Sequence, residues 1–195
     1  MNENIIENPS DISFNSELST SELEISHDEI CEESIINKDK QVSLVINSIS
    51  STLEKLINNE KQKKDTDLKE LIKPFNSKTI SEISINDYLK RIIKYTNCEI
   101  NSLIYSIILL DRICLKNINL SSYNIHKFLF ATILLAIKIN EDNIYSNTYY
   151  SQIAGVSLKE LNLMEYNLSI IFNFNFFVNE RIFNLYKEAI KINIP

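Results

Sequence analysis

One glycine and three prolines occur in the whole chain, and there is no tryptophan. Gly and Pro supply the tight turns of sheets, so their scarcity argues for helices joined by short polar loops. Three cysteines, Cys31, Cys98 and Cys114, are odd in number and lack metal-ligand spacing. With only His27 and His126 beside them, neither a zinc site nor a disulfide framework is expected, and a reducing compartment suits the chain best. The N-terminus lacks a basic stretch followed by an apolar one, so no signal peptide is expected. The longest oily run, 128–137, falls short of the roughly 18 residues of a spanning helix. Residues 1–37 lack Lys and Arg altogether but hold ten of the 26 acids. The remainder carries 20 bases against 16 acids, a net of +4, with no Arg-rich stripe of the kind nucleic acid requires. The expectation is a soluble intracellular protein, cytoplasmic or nuclear, with no cofactor, metal, membrane, nucleic acid or small-molecule substrate.

What is present is helical periodicity. Residues 1–40 are acidic, rich in Ser and Asn, and expected to be disordered. From Val42, the positions Val45, Ile46, Ile49, Leu53, Leu56 and Ile57 recur at helical spacing, and NNEKQKKDTD (58–67) follows as a charged linker. Ser84, three residues before Asp87, opens a helix with Ile85, Tyr88, Leu89, Ile92 and Ile93 on one face. INSLIYSIILLDRICLK (100–116) is apolar nearly all round, as a helix enclosed by others must be. Ser121 or Ser122 is expected to cap a second enclosed helix over 123–139. A short helix near 147–153 should end at Gly155, and SLKE (157–160) is a capping box for 157–172. FNFNFFV precedes a last helix near 179–191. Two enclosed helices ringed by amphipathic ones make an all-α bundle.

Some charges fall where apolar residues should. Lys138 shares a face with Ala131, Leu134 and Leu135, and Glu165 falls inside the stripe Leu158, Leu161, Leu168 and Phe172. A buried charge is costly unless paired. The two could clamp each other, or be held ready for a partner. Asp111 in IILLDRIC is a third inward charge, with Arg91 as its expected partner in a structural ion pair between helices. A Lys–Glu couple can do acid–base work, but no P-loop, Ser/His/Asp set, Cys–His pair or metal cluster accompanies it, which argues against an enzyme.

Taken together, DYLKRIIKY (87–95), LIYSIILLDRI (103–113), NIHKFLFATILLAIKINED (124–142), YYSQIAGVSLKELNLME (149–165) and FNF (172–174) resemble a cyclin box, and more narrowly the single-box P/U-type, phosphate-pathway (PHO-type) cyclins. The resemblance covers about 80–178 and implies the family's five-helix fold. The chain then divides into an acidic tail (1–40), an extra N-terminal helix and linker (41–79), the box (80–178) and a C-terminal helix (179–195). It implies a cyclin-dependent protein kinase catalytic subunit as partner. Lys138 and Glu165 would grip the backbone of the kinase's C helix, with Ile139, Phe174 and Phe176 as apolar contacts. Favouring the kinase conformation with that helix swung inward is what would activate it. The place where two-box cyclins carry an Arg near a substrate-recruiting patch reads SEISI here, and a second box is missing. Glu141–Asp142 matches the acids that P/U cyclins show after the lysine. The alternative is a cyclin-fold adaptor in transcription or scaffolding, with no kinase.

Overall fold

The structure, a computed structural model, describes residues 40–58 and 66–192. The acidic tail and most of the charged linker lie outside the described residues. The described body is all-helical: α1 (40–58), α2 (Lys69–Ile72) running into a 3-10 turn (Lys73–Phe75), α3 (Ile85–Thr96), α4 (Ile100–Leu115), α5 (Ile125–Asn140), α6 (Asn147–Ala154), α7 (Leu158–Ile171) and α8 (Glu180–Ile192).

Helix ends follow local chemistry. The side chains of Ser84, Ser146 and Ser157 accept from the backbone N–H groups of Asp87, Tyr149 and Glu160, satisfying donors that the first helical turn leaves open. Gly155 ends α6 in the left-handed region, φ 73°, and Asn97 ends α3 at φ 58°. One expectation is corrected. Neither Ser121 nor Ser122 caps α5; Asn124 occupies the N-cap position without a side-chain cap bond. The Asn124 amide oxygen instead accepts from Ser121 N–H (2.8 Å), and its amide nitrogen donates to the Asn119 carbonyl (3.0 Å), so the residue braces the turn before the helix.

The two enclosed helices, α4 and α5, pack along each other at the centre, and residues 128–137 of α5 are all buried. Helix α7 lies on α5, α6 on α7 and α3, and α8 on α4. Val45, Ile46, Ile49 and Leu53 carry α1 into the same core. The segment 68–76, which periodicity leaves unassigned within the linker, is also anchored. Phe75 is wholly buried and stacks on Phe128 with ring centroids 4.0 Å apart. Lys127 Nζ donates to the Pro74 carbonyl (3.2 Å) and pairs with Glu160 (2.7 Å), while Asn167 donates to the Leu71 carbonyl (2.9 Å). A four-residue helix with no buried residue of its own is thus held by groups from α5 and α7.

Among the described residues, no helix is long and apolar enough to cross a membrane, and no group of three or more His, Cys, Asp or Glu is placed to hold a metal.

Candidate partner-docking site

Lys138 lies in the last turn of α5, where a cation complements the helix dipole. Its Nζ meets Glu165 Oε1 at 2.5 Å, with the two side chains 27% and 21% exposed. The second carboxylate oxygen, Oε2, accepts from Asn147 Nδ2 (2.8 Å), and the same amide reaches Asn162 Oδ1 (2.7 Å). Three helices therefore converge on one carboxylate: α5 with the ammonium, α6 with an amide, and α7 with Glu165 itself. The pair does clamp itself, yet it stays at the surface, where neither charge carries the full cost of burial. An ammonium with three donors keeps two for other acceptors, and each carboxylate oxygen keeps a lone pair.

Apolar side chains flank this pair in sequence. Ile139, adjoining Lys138, is 43% exposed. Beyond α7 the chain turns through two successive left-handed residues, Asn173 (φ 52°) and Phe174 (φ 55°), and Phe174 is left 66% exposed. Such a conformation is costly for residues with a Cβ and persists only when surroundings impose it. Here Asn173 N–H donates to the Ile170 carbonyl and Phe174 N–H to that of Ser169, both at 2.8 Å. Phe176 is half-buried with its ring edge-on to Phe172, 5.9 Å between centroids. The Phe176 carbonyl accepts from Tyr105 Oη, and the Phe177 carbonyl accepts from Arg112 Nη2 (2.8 Å), so α4 pins the strap from below. Asn140, at the end of α5, shares with Tyr105, Phe177 and Phe183 the lining of an open cleft of about 690 Å³. The end of α5 and the strap thus adjoin.

The structure separates two residues expected to pair. Asp111 is exposed and accepts from Tyr186 Oη of α8 (2.9 Å). Arg91, exposed on α3, donates to the Gln152 carbonyl of α6 (3.0 Å). The physical reason is that a helix apolar nearly all round has no phase from which to read its outer strip. In α4 that strip is Ile107, Asp111 and Cys114, at spacings of four and three, and it turns toward α8 rather than α3. Burial, and then the bond to Asp111, push the Tyr186 hydroxyl up to about 12.

Glu141 has a local role: its Oε1 accepts from Glu99 N–H (3.1 Å) at the N-cap of α4. Burial first, and Glu141 next, push the Cys98 thiol far above its ordinary range, which leaves it without nucleophilic character at neutral pH. Asn147, Tyr105 and Arg112 are contributors that periodicity does not reveal. Asn147 has no mark beyond following the cap residue Ser146, and the other two bond to main-chain carbonyls far along the chain.

The family model described as Cyclin matches residues 24–176. Cyclin-U4-1 of Arabidopsis thaliana is 29% identical over 148 residues, 74% of this chain and 73% of that protein. Cyclin-U1-1 of the same plant is 34% identical over 146 residues, covering 73% and 70%. Cyclin-P4-1 of Oryza sativa subsp. japonica is 33% identical over 96 residues, 48% of this chain and 45% of that protein.

Proposed function

This chain belongs to the cyclin family, of the P/U type, and on that premise we propose that it is the regulatory subunit of a cyclin-dependent serine/threonine protein kinase. It binds the kinase by its C helix and favours the active conformation. The observation that carries this reading is the Lys138–Glu165 pair, 2.5 Å apart and about a quarter exposed, beside the exposed Ile139. The spare N–H groups of Lys138 donate to carbonyls at the end of the kinase helix, and Glu165 accepts from main-chain N–H groups. Phe174 and Phe176 add apolar area that closes water out around the polar pair, the arrangement in which such groups contribute most to an interface.

Activation follows from differential affinity. A surface complementary only to the inward position of the kinase helix shifts the kinase toward it by the difference in binding free energy between the two positions. No bond is made or broken on this chain.

The test is co-purification of the full chain with a panel of cyclin-dependent kinase catalytic subunits, followed by a serine/threonine phosphorylation assay. At least one catalytic subunit is expected to be captured and to gain activity. Capture of none, or equal capture by the Lys138→Ala and Glu165→Ala variants, would overturn the reading.

A further inference from the structure

A second surface is built quite differently. On α3, Lys90, Arg91 and Lys94 fall at i, i+1 and i+4, an arc on the order of 100° around the helix. They face α6, and together with Tyr95, Tyr149 and Gln152 they line an open cleft of about 650 Å³. The walls are tied. Tyr149 Oη donates to the Tyr95 carbonyl (2.9 Å), and Arg91 Nη2 donates to the Gln152 carbonyl (3.0 Å). That single bond orients the guanidinium, and no acceptor among the described residues engages its other N–H groups. The Lys94 ammonium lies over the Tyr95 ring, 5.5 Å from its centroid. Among the described residues, Lys90 has a loose ion pair with Asp87, at 3.8 Å, with both side chains more than half exposed. No carboxylate among the described residues lines the cleft. Of the three cations, Lys90 alone has a carboxylate partner among the described residues, and the cleft lining supplies none, which leaves Arg91 and Lys94 to be met by an anion from outside.

We propose that the cleft between α3 and α6 docks a phosphorylated serine or threonine segment of a partner protein. A phosphoryl group at neutral pH carries nearly two negative charges and three strong acceptor oxygens. An oriented guanidinium with two ammonium groups beside it matches that demand, since the fork takes two oxygens and each ammonium acts as a point charge. A side-chain carboxylate, with one charge, would leave cations unmatched. A nucleic acid would need a basic track longer than one cleft. The rings of Tyr95 and Tyr149 give the residues beside the phosphate an apolar surface to lie on.

The choice of a phosphorylated segment rests on the proposed function, because a serine/threonine kinase makes this ligand. A substrate phosphorylated once would be held by the regulatory subunit while its further sites are presented.

The test uses the full chain without any kinase, so its outcome is separate from that of kinase capture. Fluorescence anisotropy at physiological ionic strength would compare a short degenerate peptide library fixed on phosphoserine with three other probes. These are the same library with serine, the same library with glutamate, and a single-stranded RNA of similar charge. Phosphopeptides are expected to bind about tenfold more tightly than any other probe, a difference of the size charge-assisted bonds give. Lys90→Glu with Lys94→Glu should abolish that preference, and Arg91→Lys should weaken it about tenfold through loss of the fork. Melting temperature checks that each variant is folded, and both variants should still capture kinase. Equal binding of phosphorylated and plain libraries, glutamate matching phosphate, RNA binding as tightly, or a preference unchanged in the Lys90→Glu/Lys94→Glu variant would each overturn the proposal.

Discussion

Reversing the Lys138–Glu165 pair separates a clamp from a docking site. In the free chain the two side chains are 27% and 21% exposed, so water screens their attraction and the pair contributes about 1 kcal/mol or less. Glu165 also accepts from Asn147, one hydrogen bond of about 1 kcal/mol. Lys138→Ala should therefore lower the melting temperature by only about 2–4 °C. In a complex the same groups lose their water, and a central polar anchor of this kind is worth about 2 kcal/mol or more, roughly 30-fold in Kd. The combined exchange Lys138→Glu with Glu165→Lys restores the ion pair, and Asn147 can rotate its amide to offer an oxygen to the new lysine. Stability should return to within about 0.5 kcal/mol of the parent. Binding should not return, because a carboxylate now stands where carbonyls are to be met and an ammonium where N–H groups are. Thermal denaturation and titration calorimetry against the captured kinase read the two quantities separately. An exchanged variant that binds as tightly as the parent would reduce the pair to a structural clamp and remove the basis of the docking model.

Other outcomes follow from the same geometry. Asn147→Ala leaves one carboxylate oxygen of Glu165 unheld, and should weaken kinase binding about fivefold while costing about 1 kcal/mol of stability in a denaturant titration. Phe174→Gly removes a side chain that buries little and relieves a left-handed residue, so the free chain should lose no stability and gain up to about 1 kcal/mol. The same variant should bind kinase about tenfold more weakly if the ring is an interface contact. Asp111→Ala breaks an exposed bond to Tyr186, not a buried ion pair, and should cost about 1 kcal/mol by chemical denaturation rather than the 3–5 of a buried pair. Burial holds the His126 ring below its ordinary pKa despite its contact with the Ile83 carbonyl (2.9 Å), so the native state binds fewer protons than the unfolded one. Stability should therefore be fully present above about pH 6.5 and fall as the pH drops toward the lowered value, a slope that His126→Gln should flatten.

Periodicity and capping chemistry act within a few residues, and what they dictate was legible in the chain. Ser84, Gly155 and Ser157 mark helix boundaries because cap bonds and a left-handed terminator are local events. The runs in α4 and α5 are apolar on nearly every side and had to lie at the centre, since no arrangement leaves such helices at the surface. That Lys138 and Glu165 meet was readable only as an oddity, a charge in an apolar stripe on each of two helices. The packing of α5 on α7 turns the oddity into a contact, and Asn147 arrives from a third helix with no signal in its neighbourhood. Asp111 shows the reverse: in a helix without a polar face, nothing in the chain tells which neighbour a charge will meet, and α8 decided it. Phe75 and the segment before it read as linker because their partners, Phe128, Lys127 and Asn167, stand some 50 to 100 residues further along. Local bonds fix which segments are helices and where they stop. Which side chains face each other depends on how whole helices pack, and that is settled by the burial of the entire core at once.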